Sequence, residues 1–116
     1  SQTIAGNQMN QEELTEIALF ERDLQARKDA VAKLTDQTCI AKVACEARDS
    51  GVRLAAVQQL TTQSLLENIA VKEGHWKVRI AAVERLESPE ALASIAAKDR
   101  VRAVSTSAQT RLDQLR

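Results

Sequence analysis

The sequence repeats itself every 26 residues, and this period limits the possible folds more than any other feature. When the chain is aligned with itself at that shift, six columns hold an apolar residue in all four repeats. The columns are Leu14, Ile40, Leu66 and Leu92; Ile17, Val43, Ile69 and Ile95; Ala18, Ala44, Ala70 and Ala96; Ala26, Val52, Val78 and Val104; Ala30, Ala56, Ala82 and Ala108; and Leu34, Leu60, Leu86 and Leu112. Such a period indicates a repeat architecture, in which each repeat buries its apolar face against its neighbours.

The apolar spacing inside each repeat predicts two short helices. The first half of a repeat carries apolar residues at i, i+3 and i+4, and the second half carries them at i, i+4, i+5 and i+8, so each half has one apolar face. The composition, with three Gly and one Pro, offers few turn signals for strands. We therefore predict an all-α fold, a right-handed α-α superhelix (solenoid) of four 26-residue helix-pair repeats. The predicted organisation is a lead-in segment 1–10 and one domain 11–116, with repeats 11–36, 37–62, 63–88 and 89–114.

Capping residues agree with this division. Ser88 followed by Pro89 is typical of a helix N-terminus, because serine accepts from free backbone N–H groups and proline suits the first helical position. The equivalent predicted caps are Asp36 and Thr62 before first helices, and Asp23 and Asp49 before second helices. Helices this short are marginal alone and need stacking on their neighbours.

The second-helix stretches resemble HEAT-type α-solenoid repeats. They read Val-Arg-Leu-Ala-Ala-Val-Gln-Gln-Leu at 52–60 and Val-Arg-Ile-Ala-Ala-Val-Glu-Arg-Leu at 78–86. The stretch Ser-Pro-Glu-Ala-Leu-Ala-Ser-Ile-Ala at 88–96 is similar to the bacterial leucine-rich repeat variant, whose units are equally short. The resemblance covers about residues 11–114. Since the period is shorter than the ~40 residues of HEAT units, we expect one helix of each repeat to be partly 3₁₀.

An arginine recurs near the start of the second helix. The column consists of Arg27, Arg53 and Arg79, with Ser105 in the fourth repeat. Asp23 and Asp49 stand four residues before the first two arginines. The HEAT-like resemblance implies that these arginines and aspartates form a structural ladder linking neighbouring repeats, which is the preferred interpretation. The alternative is a basic ladder that binds phosphate or carboxylate groups of a partner.

The pair His75-Trp76 breaks the repeat pattern and is its most individual feature. An exposed Trp76 would anchor a partner, since tryptophan is enriched at interface hot spots. The preferred interpretation is that Trp76 is buried over the stack, as tryptophan usually is, and that His75 caps the helix as Asp does in other repeats.

Solenoid surfaces commonly form extended binding sites, so the predicted function is a non-enzymatic scaffold that binds a protein or peptide. Second-helix residues that point away from the core would line the surface, and the candidates are Lys28, Gln59 and Arg85, with Ala55 and Ala81 beside them. Ala81→Asp should then be nearly silent. Ala56→Asp or Ala82→Asp should be costly, because each buries a charge in a tight helix contact.

The charge balance argues against other functions. Sixteen basic and sixteen acidic residues give zero net charge, which makes nucleic acid an unlikely partner. The alternative is a nucleic-acid-binding HEAT-like module with its basic residues on one face, or, less favoured, an enzyme accessory subunit such as a bilin lyase component. No catalytic, cofactor-binding or metal-ligating set stands out, and no apolar run predicts a membrane partner.

Two further expectations concern the cysteines and the ends of the array. Cys45 falls in a mostly apolar column and is predicted to be buried, whereas Cys39 is predicted to be more exposed. Unpaired thiols fit a reducing, cytoplasmic compartment. Neither end repeat is strongly polar, so we expect apolar end faces, and with them self-association or a longer array.

Overall fold

The computed structural model describes residues 9–116, and in this part of the chain every regular element is an α-helix. The helices are α1 (Gln11–Phe20), α2 (Leu24–Lys33), α3 (Gln37–Glu46), α4 (Ser50–Val57), α5 (Gln63–Lys72), α6 (Trp76–Val83), α7 (Pro89–Lys98) and α8 (Arg102–Gln114). Each predicted repeat holds one pair of helices. The prediction of an all-α fold built from helix pairs is therefore confirmed. The lead-in residues 1–8 lie outside the described part.

The helices form two compact halves, an N-terminal half Ser1–Gln59 and a C-terminal half Leu60–Arg116. In the N-terminal half, α1 packs on α2 and α3 on α4, while α1 also packs on α3 and α2 on α4. The C-terminal half repeats this pattern with α5 to α8. First helices thus stack on first helices and second helices on second helices, which is the packing expected of helix-pair repeats.

Side-chain caps start most of the helices. Asp23, Asp36, Asp49 and Ser88 each accept a hydrogen bond from a backbone N–H of the helix that follows, as predicted. Thr62 stands at the N-cap of α5 without a side-chain cap hydrogen bond. These caps fix the helix starts that the period predicted.

The expected 3₁₀ segment is not found in residues 9–116, so that prediction is wrong. In the first repeat, two ten-residue helices and two three-residue turns fill the whole period. Two α-helices therefore fit into 26 residues, because extended residues at the caps make the turns short.

The apolar columns form the core. The leucine and isoleucine column of Leu14 is buried in all four repeats, and so is the alanine column Ala30, Ala56, Ala82 and Ala108. One neighbouring prediction is wrong: Ala81 is only 7% exposed. It is buried because α6 packs on both α5 and α8, which leaves little of its surface free. A charge at Ala81 is therefore not expected to be silent.

The end repeats differ in their exposed apolar residues. In the first repeat, Phe20 and Leu24 flank the turn between α1 and α2 and are both exposed. In the last repeat Leu115 is exposed, but exposed Gln109 replaces the valine that is buried at this position in the other repeats, for example Val83. The expected apolar end face is thus reduced in the last repeat. Self-association stays a prediction.

Candidate partner-binding surface

Trp76 is the first residue of α6, and its side chain is 40% exposed. The preferred interpretation, in which Trp76 is buried over the stack, is therefore wrong. Helical side chains tilt toward the helix N-terminus, so the side chain of a first residue projects past the end of its helix. The exposed indole consequently marks the N-terminal end of α6, which is called the Trp76 edge below.

Both sequence neighbours of Trp76 lie against its ring. The His75 ring stacks near the indole with 6.3 Å between centroids and an interplanar angle of 21°. The Lys77 ammonium lies 5.5 Å from the indole centroid, within range of a cation–π interaction. An exposed aromatic ring is thus flanked by an imidazole and a cation on consecutive residues.

His75 is the N-cap of α6, as predicted. The His75 ring Nδ1 accepts a hydrogen bond from the backbone N–H of Lys77 at 3.1 Å. The backbone N–H of His75 donates to Glu73 Oε1 at 3.1 Å. The cap requires a lone pair on Nδ1, which is the tautomer protonated on Nε2. The imidazole that stacks with Trp76 is therefore the same ring that caps α6.

The other candidate binding residues fall into two groups. Lys28 is exposed on α2 in the N-terminal half. Gln59 and Arg85 instead bind the backbone: Gln59 Nε2 donates to Leu34 O at 3.1 Å and Arg85 Nε donates to Leu60 O at 2.8 Å. Both side chains are half-buried. Their main contacts are therefore internal, because each satisfies a carbonyl in the turn that follows a second helix.

These contacts recur with the period. Arg111 Nε donates to Leu86 O at 2.9 Å, so residues 59, 85 and 111 each bind the carbonyl of the leucine 25 residues earlier. The sequence analysis missed this polar column because it followed apolar residues. The signal was present, since a hydrogen-bonding side chain recurs at this position every 26 residues.

A glutamine at the start of the first helix forms a second polar column. Gln11 Oε1 accepts from the backbone N–H groups of Thr35 and Asp36, and Gln63 Oε1 accepts from that of Glu87. Gln37 Nε2 and Gln63 Nε2 donate to backbone carbonyls near the end of the second helix. These glutamines hold the turns that end the first, second and third repeats.

The arginine column binds helix ends. Arg79 pairs with Asp99 through Nε to Oδ2 at 3.0 Å, with both side chains almost buried. Arg79 Nη1 also donates to Glu73 O, and Arg53 Nη1 donates to Ala47 O, the equivalent carbonyl. In the C-terminal half, Arg79 thus links the third repeat to the fourth. Arg79 takes its carboxylate from Asp99 of the next repeat. The aspartates of the predicted ladder, Asp23 and Asp49, serve as the N-caps of α2 and α4.

Arg27 lacks such a carboxylate. Its Nε is buried without a hydrogen-bond partner among residues 9–116. The residue twenty positions later, equivalent to Asp99 for Arg79, is the buried Ala47. A buried N–H without an acceptor is costly. Among residues 9–116, Arg27 therefore lacks the arginine–carboxylate pair that Arg79 forms with Asp99.

Ala47→Asp is expected to stabilise the protein by about 1 to 2 kcal/mol, because it supplies Arg27 with a charge-assisted acceptor. Ala47 has the same extended backbone at the end of α3 that Asp99 has at the end of α7. The measurement is urea unfolding. In an Arg27→Met background the same substitution should lose this gain, since the carboxylate can then no longer pair with Arg27. A loss of stability in the wild-type background would contradict this pairing.

The two cysteines have the opposite burial to that predicted. Cys45 is exposed and Cys39 is half-buried, and they are not joined in a disulfide. Val71, in the same column as Cys45, is also exposed, whereas Leu19 of that column is buried, so burial in this column differs between repeats. Within residues 9–116 no cluster of three or more His, Cys, Asp or Glu has a geometry for metal binding.

No described helix combines the length and the apolar character needed to cross a membrane. Comparisons with protein-family models, with curated proteins and with solved structures find no match to this chain.

Proposed function

We propose that the chain is a HEAT-like α-solenoid scaffold without catalytic activity, which binds a protein or peptide through the edge marked by Trp76. The HEAT-like assignment rests on the repeat pattern of the second helices and on the stacked helix pairs of each half. The exposed indole of Trp76, flanked by the His75 ring and the Lys77 ammonium, is the observation that carries the binding function.

A structural role for Trp76 would be expected to recur in every repeat, as the buried columns do. The equivalent residues are Leu24, Ser50 and Arg102, so the indole occurs once. A tryptophan side chain has only two torsions, so it supplies a large contact area at a low cost in conformational entropy on binding. Such residues dominate the binding energy of many interfaces.

The charges of the second helices support a protein partner over nucleic acid. Lys28 and Lys77 are exposed, but so are Asp29 on α2 and Glu84 just after α6. A phosphate backbone would meet carboxylates as well as ammonium groups in both halves. Random duplex DNA at low salt tests this choice, and measurable affinity there would favour the nucleic-acid alternative.

Trp76→Ala is expected to weaken binding of peptides selected from a random display library by about 30-fold, since anchor residues contribute roughly 2 kcal/mol. Affinities are measured by titration calorimetry. Leu24→Ala is the matched control, because Leu24 is the exposed apolar residue at the equivalent position of the first repeat, the first residue of α2. Equal affinities for the wild type and Trp76→Ala would refute the anchor, and a library that yields no binder would refute peptide binding.

A further inference from the structure

A groove of about 550 Å³ lies between α1 and α3 in the N-terminal half, apart from Trp76. Three carboxylates line it, those of Glu12, Glu13 and Glu16. Leu19 and Phe20 supply its apolar surface, and Lys42 is its one basic lining residue. The volume falls in the usual range of ligand pockets.

The three glutamates of the groove differ in whether their carboxylates already have a partner. Glu13 belongs to the capping box of α1, where its Oε1 accepts from the Asn10 N–H at 3.1 Å. Glu12 and Glu16 are exposed, and neither makes an ion pair within residues 9–116. They stand four residues apart on one helix, where like charges repel. A cation placed between them would relieve this repulsion.

Apolar side chains follow the two glutamates along α1. Phe20 follows Glu16 by four residues, so Glu12, Glu16 and Phe20 succeed one another at steps of about 6 Å along α1. Phe20 is 70% exposed, the highest exposure of any large apolar residue in the described chain. Leu19 beside it is buried and forms the base of the groove.

We infer that this groove binds an extended basic peptide. Its first and third residues carry cationic side chains, and its fifth residue carries a large apolar side chain. Alternate residues of an extended strand lie about 6.6 Å apart on one face, close to the spacing along α1. The cations meet Glu12 and Glu16, and the apolar side chain packs on Phe20 and Leu19. Residues 1–8 contain no Lys or Arg and therefore do not supply these cations.

The test uses labelled Lys-Ser-Lys-Ser-Phe and Phe-Ser-Lys-Ser-Lys peptides, read by fluorescence anisotropy, with Glu-Ser-Glu-Ser-Phe as the charge-reversed peptide. We expect one of the two basic peptides to bind and the acidic one not to bind. The double variant Glu12→Gln, Glu16→Gln should weaken binding at least about tenfold, and Phe20→Ala about fivefold. The substituted residues are exposed, so thermal melts should stay at the wild-type temperature.

The control variant Glu84→Gln, Glu87→Gln removes the same charge from exposed residues of the C-terminal half and should bind like the wild type. An equal loss in this control would overturn the inference, because attraction to net charge would then explain binding. Absence of binding by both basic peptides up to about 1 mM would overturn it as well. Trp76→Ala should leave this affinity unchanged, which separates the groove from the proposed Trp76 site.

Discussion

Ala82→Asp is expected to lower the free energy of unfolding by about 4 kcal/mol, because it places an unpaired carboxylate in a helix contact without free volume. Ala82 is fully buried, and its column is buried in every repeat. For a chain of this size the melting temperature should fall by roughly 15 °C. Circular dichroism melts measure the change.

Two alanines of the C-terminal half serve as comparisons. Ala81→Asp should also destabilise, since Ala81 is nearly buried beside Ala82. Ala93→Asp should have little effect, because Ala93 is exposed and a glutamate, Glu67, stands at the same position of the preceding repeat. An Ala82→Asp melt that coincides with the wild-type melt would contradict the buried alanine column.

Asp99→Ala is expected to cost about 3 kcal/mol, because it leaves the almost buried guanidinium of Arg79 without its counterion. The carboxylate also accepts from the Val101 N–H at 2.9 Å, so its removal frees a backbone donor before α8. Urea unfolding at neutral pH should show a lower midpoint with an unchanged m-value.

The pairing is tested by a double-mutant cycle with Arg79→Met. An apolar side chain of similar length removes the orphaned charge, so the double variant should be more stable than Asp99→Ala alone. Asp113→Ala is a control for losing an exposed pair, since Asp113 and Arg116 are 3.7 Å apart with side chains more than half exposed. Its effect should stay below about 0.5 kcal/mol. Equal losses in Asp99→Ala and Asp113→Ala would show that the ladder contributes little.

The repeat period predicted the helices well because burial and capping depend on local spacing. Ser88, Asp36 and Asp49 mark helix starts by side-chain chemistry alone, and the columns of Leu14 and Ala30 are buried wherever pairs stack. The assumption that one column has the same burial in every repeat failed for Cys45, because its column is exposed in the second, third and fourth repeats and buried only at Leu19. The sequence does not reveal in which repeats such a column is covered.

The candidate surface was predicted less well, because side-chain direction at a helix end depends on geometry. Trp76 is exposed at the start of α6, and the buried residues of this helix begin only at Val78. Gln59 and Arg85 lie on the expected helices but bind carbonyls 25 residues away, and such contacts are visible only once the stacking is known. That Arg27 Nε has no acceptor among residues 9–116 became evident only by comparison with the Arg79–Asp99 ion pair.

The emission of Trp76 on peptide titration is the most direct test of the proposed binding edge. Trp76 is the only tryptophan and the chain has no tyrosine, so its fluorescence reports on this edge alone. With a display-selected peptide, the emission should shift to shorter wavelength and saturate at the affinity that calorimetry gives, because the indole leaves water. A peptide that binds by calorimetry while the emission stays unchanged would contradict the proposal.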